Sequence, residues 1–341
     1  MRAVLLTKFG GPEALEFREN VPVPVPVEGE VRLRVGATAL NNTDVWTREG
    51  AYGSNVEDGA QTGWRREEFA FPRIQGADVV GHIDMVGAGV PASRVGERVI
   101  VDPMIYQGGE RELVDTDYLG SERDGGFAEF VTVPAMNAHA VHSTLSDAEL
   151  ATFPTAYATA MRMLNRARVT RDEQILITGA SGGVGSALVQ LARVRGAAVV
   201  AVASRAKAEQ VRQLGAHTVI PRDVVDIADA LGGKVDVVAD VVGGSAFGSL
   251  LNALRPLGRY VVAGAIAGPE VTADLRTIYL NQLEVIGSSF GSHGDFADVV
   301  ALVERGDIKP LLSATYPLSE LAAAQAAFVG KEFVGKIVVT S

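Results

Sequence analysis

Apolar residues along this chain come in two textures, and the change falls near residue 145. Before it, short β-branched runs (VRLRVGA, DVVGHIDMVG, ERVIVDP, FAEFVTVP) alternate with Gly, Pro and Asp turns, a β-rich pattern. PVPVPV at 22–27 reads as an extended connector, because each Pro removes a ladder donor. Residues 51–72 and 104–126 have no period and many turn formers, and both read as surface loops. The first is either a functional flap or a tolerated insertion. After residue 145, SDAELATFPTAYATAMRMLNRA predicts helix, with Ser146 as N-cap and Glu149 completing a capping box. Strand, Gly-rich turn and helix then alternate from EQILITG to LEVIGSSFG. The strands are almost wholly apolar, which means a parallel sheet covered on both faces. The tail predicts strand, helix and strand in KPLLSATYPLS, SELAAAQAAFVG and GKIVVTS.

Composition narrows the function. At 341 residues and 47% hydrophobic, the chain has material for two domains. A formal net charge of −10 argues against a nucleic-acid or anionic-membrane partner, and its plainer meaning is that acidity keeps the protein soluble; the partner expected is a small-molecule substrate. The absence of cysteine excludes disulfides, thiolate zinc sites, iron–sulfur clusters and cysteine nucleophiles. His82, His139, His142, His217 and His293 are scattered without metal spacing. No export signal or membrane-length apolar run is visible, so the expected setting is soluble and cytoplasmic.

The strongest motif is QILITGASGGVGSALVQLARVRG. Gly179, Gly182, Gly183 and Gly185, with Val184 among them, lie between a buried strand and an amphipathic helix. Glycine lets the backbone turn and approach a pyrophosphate, and the helix N-terminus offers free N–H groups and a positive dipole end. The next strand ends in AVASRAKAEQ, where an NAD enzyme usually carries an acid for the ribose 2′-hydroxyl. Ser204, Arg205 and Lys207 stand there instead, with no acid before Glu209. Cations suit a 2′-phosphate, so the reading is NADPH rather than a solvated helical turn. Arg222 either closes over the adenine or phosphate or is an exposed loop arginine.

One stretch, ATALNNTDVWTREG at 37–50, crowds hydrogen-bonding groups just after an apolar strand. With MRAVLLTKFGGPEALEF, GGFAEFVTVPA, GASGGVGSALVQLA and FVGKIVVTS, it gives the chain an end-to-end resemblance to the medium-chain dehydrogenase/reductase superfamily. NNTDVWTREGAYG resembles the zinc-independent quinone oxidoreductase branch. The resemblance implies an α/β fold: a GroES-like β-rich catalytic domain over 1–144, a Rossmann doubly wound parallel sheet over 145–288, and a return segment over 289–341. In the zinc-dependent members a cysteine, a histidine and a second cysteine hold the metal. The matching positions here are Asn41, Ala77 and Thr155, poor zinc donors or none, which implies no catalytic zinc.

Hydrogen bonds must then stabilise developing charge. Asn41 and Tyr52 are the expected catalytic donors, and Asp44 anchors the loop or a water. The alternative for Asn41 and Asp44 is turn capping. Trp46, Thr155 and Trp64 are expected against the substrate, with Arg65 and Arg66 beside Trp64 in the long loop. The resemblance assigns further cofactor contacts to Thr159, Val242, Gly264, Ala265, Ser288, Ser289, Phe290 and Lys336, the last toward the phosphates. It also implies a homodimer joined through sheet edges, with LEVIGSSFG as the edge strand. The function expected is hydride transfer from NADPH to a quinone or α,β-unsaturated carbonyl. The alternatives are a metal-free carbonyl reductase or alcohol dehydrogenase, and a non-catalytic NADPH-binding protein.

Overall fold

The computed structural model describes residues 1–52 and 69–341. Trp64, Arg65 and Arg66, and with them most of the 51–72 loop, lie outside the described residues. The chain divides into two compact units, Met1–Thr155 with Ser292–Ser341, and Ala156–Gly291. The borders fall after Thr155 rather than 144, and before Ser292 rather than 289. Residues 145–155 belong to the first unit because it holds them at both ends. Arg98 Nε donates to Asp147 Oδ1 at 2.8 Å, and Thr155 N donates to Asp78 Oδ1 at 2.9 Å.

The first unit is built on the strand Glu30–Ala39 (β1), whose inward Val31, Leu33 and Val35 alternate with more exposed residues. The helix Asn42–Glu49 (α1) follows at once and stops at Gly50, whose φ of 66° is left-handed. Strands Asp78–Val86 (β2), Arg98–Val101 (β3), Phe130–Pro134 (β4) and Ala138–Ala140 (β5) extend the sheet antiparallel. Residues 22–27 form no strand. Residues 104–126 are more ordered than their composition suggests. Met104–Ile105 pairs with Asp117–Tyr118 around a short helix, Glu110–Val114, and Leu113, Tyr118 and Leu119 are buried. Those apolar anchors are too sparse to register as a period.

The helix predicted from Ser146 comes in two pieces, Asp147–Leu150 and Pro154–Arg166 (α2). Pro154 is the cause: it disfavours helical geometry at Phe153 and suits a first helical position. The capping box stands, with Glu149 N on Ser146 Oγ at 3.2 Å and Ser146 N on Glu149 Oε2 at 2.8 Å.

The second unit is a six-stranded parallel sheet. Its strands are Gln174–Ile177 (β6), Ala198–Ala203 (β7), Thr218–Pro221 (β8), Val235–Asp240 (β9), Leu254–Val262 (β10) and Glu284–Gly287 (β11). Their order across the sheet is β8-β7-β6-β9-β10-β11. The chain therefore reverses direction of growth at β6 and β9, the switch point where such sheets bind ligands. The helix Gly183–Val194 (α3) runs from the loop after β6.

The return segment restores the first sheet. Ser292 caps the helix His293–Arg305 (α4), which ends at Gly306 with φ 73°. The strand Leu312–Pro317 (β12) lies parallel to Lys336–Thr340 (β13), with the helix Leu321–Gly330 (α5) joining them. β13 pairs antiparallel with β1, Val338 facing Ala39, while Asp78 of β2 faces Ala39 from the other side. This register sets the ends of three strands, and the residues just beyond them, side by side.

Candidate active site

That sheet end carries the first group of candidate residues. Asn41 follows β1, Asp78 opens β2 and Lys336 opens β13. Lys336 Nζ donates to Asn41 Oδ1 at 2.5 Å and to Asp78 Oδ2 at 2.8 Å. The ion pair is desolvated on both sides, with side-chain exposures of 4% and 0%. Asp78 also accepts from Thr155 N, so the positions matched to two of the metal ligands, Asn41 and Thr155, are tied together through Lys336 and Asp78. Ala77, the third, adds no donor atom.

An asparagine amide has one accepting and one donating end. The accepting end of Asn41 is occupied by Lys336. Its Nδ2 is buried with no hydrogen-bond partner among the described residues. A buried amide left so costs about 1–3 kcal/mol, a loss that a ligand oxygen would recover.

Asp44 Oδ2 accepts the backbone N–H of Asn41 at 2.7 Å, closing the first turn of α1. This contact makes Asp44 part of a capping box, with Asn41 at the N-cap of α1. Burial pushes its carboxyl up to about 7, assisted by the charge of Asp78 and opposed by the Asn41 N–H and Lys336. Gln75 Nε2 reinforces the same turn by donating to Asp44 O at 2.9 Å. Trp46 packs in part against the core cluster and meets Tyr52 edge-on, ring centroids 5.9 Å apart. Burial holds the Tyr52 hydroxyl above the ordinary tyrosine range, so it stays a proton-bearing donor.

Thr155 Oγ1 lies 3.1 Å from Tyr118 Oη, which lies 3.2 Å from Thr43 Oγ1. Either hydroxyl of each contact can donate, so Thr155 can accept from Tyr118 while giving its own proton elsewhere. The sequence reading missed Tyr118 and Asp78. Asp78 had a signal, a charged residue opening the apolar run Val79–Val80; Tyr118 had none. The reading also sent Lys336 to cofactor phosphates. In the structure its ammonium bonds Asn41 and Asp78, since β13 begins where β1 and β2 meet.

The second unit holds the other group. Gly179 has φ 57°, and a Cβ at Gly185 would sit 2.1 Å from Gly179 O, so the loop closes tightly on α3 only with glycine. Gly182 is exposed, Gly183 and Val184 half-buried, and the first-turn N–H groups of α3 have no partner within the helix. Val242, Gly264 and Ala265 follow β9 and β10, and Asp240 Oδ1 fixes the first by accepting Val242 N at 2.8 Å. Ser288 follows β11, and its Oγ is buried without a partner among the described residues. Ser289 is exposed, and Phe290 takes φ 55°. Thr159 is buried on α2. A tight Gly loop at a switch point and an orphan serine hydroxyl fit a dinucleotide.

At the end of β7, Ser204 starts the turn carrying Arg205 and Lys207, and Arg222 N donates to Ala203 O at 2.9 Å. Arg205 Nε donates to Asp223 Oδ2 at 3.2 Å in an exposed pair. Asp223 follows β8, not β7, and such a pair is weak enough to exchange for a phosphate. Among the described residues no cluster of three or more His, Cys, Asp or Glu could hold a metal ion, and no helix is long and apolar enough to cross a membrane.

Similarity to known proteins extends over nearly the whole chain. The family described as alcohol dehydrogenase GroES-like domain matches residues 27–143, and the one described as zinc-binding dehydrogenase matches 183–305. The chain is 31% identical to a quinone oxidoreductase of Mus musculus, over 99% of this chain and 97% of the relative. It is 30% identical to an NAD-dependent alcohol dehydrogenase of Sulfurisphaera tokodaii, over 94% of each. The crystal structure of a putative alcohol dehydrogenase from Sinorhizobium meliloti superposes with a TM-score of 0.95 at 53% identity, covering 100% of this chain and 96% of that one. With its GroES-like sheet, its 3-2-1-4-5-6 parallel sheet and these full-length relatives, the chain belongs to the medium-chain dehydrogenase/reductase superfamily.

Proposed function

We propose that the protein is an NADPH-dependent, zinc-independent reductase that passes hydride to a quinone or an α,β-unsaturated carbonyl. The observation that carries this reading is the buried, unpartnered Asn41 Nδ2, a neutral donor presented where related enzymes are matched to a metal ligand. NADPH, when bound, supplies the hydride. Asn41 Nδ2–H stabilises the negative charge that develops on the acceptor's oxygen, and Tyr52 or Thr155 adds a hydroxyl donor. At oxygen, delocalised enolates and hydroquinone anions are less basic than the alkoxide formed from a simple ketone, so hydrogen bonds can suffice where ketone reduction demands stronger acid assistance. Trp46 and Tyr52 offer aromatic surface to a flat acceptor. Arg205, with Ser204, Lys207 and Arg222 about it, receives the 2′-phosphate. The similarity to the mouse quinone oxidoreductase supports this class; the similarity to alcohol dehydrogenases favours the metal-free dehydrogenase as second reading.

The test is oxidation of NADPH and NADH by metal-free protein with a 1,4-quinone, a 2-alkenal and a simple ketone, with products identified. Turnover of the first two with NADPH preferred is expected. Arg205→Ala should remove that preference, and Asn41→Ala with Tyr52→Phe should lower kcat by about 10²-fold or more. Turnover of the ketone alone moves the assignment to the dehydrogenase. Tight NADPH binding with no turnover of any acceptor moves it to a non-catalytic binder.

A further inference from the structure

We infer that Lys336 and Asp78 are positioning residues that decide which end of the Asn41 amide faces the acceptor. The inference rests on the proposed reductase reading for its kinetic part. An asparagine side chain can turn its amide over, and the two orientations are chemically opposite: one presents N–H, the other a carbonyl oxygen that repels a developing oxyanion. Lys336 removes the ambiguity. An ammonium only donates, so its 2.5 Å contact can be made only to Asn41 Oδ1, and Nδ2 is turned away from it. Asp78 holds the ammonium at 2.8 Å from one carboxylate oxygen and anchors the other on Thr155 N at 2.9 Å. Asp44 fixes the same residue from the backbone side. Asn41 is therefore gripped at its N–H and its Oδ1, and only Nδ2 is left without a partner among the described residues.

A fully buried lysine–aspartate pair is a costly way to fill space, since apolar residues of similar size usually serve stability as well or better. The expense is intelligible if the ammonium has a task. It orients the amide, and by withdrawing charge through Oδ1 it makes Nδ2–H a stronger donor, as chained hydrogen bonds do in a dry site.

The sequence-based alternative places Lys336 on the cofactor phosphates, and the two roles separate experimentally. Lys336→Met with Asp78→Asn removes both charges together, so no lone buried ion remains. Thermal melting checks its fold, nicotinamide fluorescence gives Kd for NADPH, and steady-state kinetics on a quinone gives kcat. We expect Kd within about twofold of the parent, kcat lowered by roughly tenfold or more, and no further loss when Asn41→Ala is added. A tenfold weaker Kd at unchanged kcat, or losses that simply add to that of Asn41→Ala, overturns the inference. The side-chain amide ¹⁵N resonance of Asn41, assigned by its loss in Asn41→Ala, gives a readout free of turnover. It should shift or broaden in the double variant and persist in Lys336→Arg, which keeps the charge and a donor. An unmoved resonance in the double variant overturns the inference. If that variant does not fold, loss of the resonance in Lys336→Arg does so. If Asn41→Ala alone leaves turnover intact, the reductase roles fail and the resonance decides the positioning role by itself.

Discussion

Asp44 shows how much one buried carboxyl can reveal. Burial is the main reason its pKa lies near 7, far above the ordinary 3.8. Between those values the unfolded chain has released the proton while the folded chain keeps it. Stability must therefore fall as pH rises across that window and level off above about 7. Asp44→Asn keeps an oxygen for the Asn41 N–H and has no proton to lose. Its melting temperature should vary less with pH over that window, and near pH 8 it should match or exceed the parent, to within about 1 kcal/mol of unfolding free energy. A variant whose melts track the parent at every pH would show that Asp44 does not titrate in that window. The sequence pointed to Asn41, Asp44 and Thr155 because they stand in a recognisable pattern. It did not point to the Lys336–Asp78 bond, which joins residues 258 positions apart. Local pattern carries no information about such a pair; strand register does.

Elements were legible where their period was long and their ends were capped. The βα alternation of the second unit and the Ser146 capping box are both in the structure. Errors came where one residue outvoted a periodicity, as Pro154 did in splitting the helix, or where a few buried side chains ordered a polar segment, as at 104–126. The start of α4 adds a consequence the sequence did not suggest. His293 stands in the first turn, where a cation opposes the helix dipole. Its Nδ1 nevertheless lies 2.6 Å from Asp102 Oδ2, and its ring stacks on Tyr106 at 4.1 Å. Burial pushes the imidazole pKa down, but the Asp102 hydrogen bond and charge outweigh it, and the result lies above 6.5. A raised histidine pKa stabilises the fold below the unfolded value and loses that contribution as pH rises through the folded one. Imidazole NMR should place His293 above 6.5, and Asp102→Asn should lower it and flatten that part of the stability profile. A titration unmoved by Asp102→Asn would remove the carboxylate as the cause.

At the scale of the molecule, the second unit's sheet ends in β11 as its edge strand. Among the described residues β11 pairs only with β10, and Val285 on it is 49% exposed. The preceding helix Leu275–Leu280 exposes Leu275 and Leu280, each at 70%, and Tyr279 at 62%. Single exposed apolar residues need no explanation, but four on an edge strand and the helix leading into it do. A bare apolar edge invites another strand, and a second copy of the same edge, related by a two-fold axis, would satisfy both at once. The homodimer we propose would thus extend the six-stranded sheet across the axis and cover those side chains. Sedimentation should then give twice the chain mass of 35.8 kDa. Replacing Leu280 and Val285 together by aspartate would set like charges against each other across the axis and should shift the mass toward one chain at micromolar concentration, with NADPH affinity retained. A parent chain sedimenting at 35.8 kDa would end the dimer proposal. A variant that stayed paired would leave the dimer standing but move it off this edge, and the exposed row on β11 and its helix would then require a different partner.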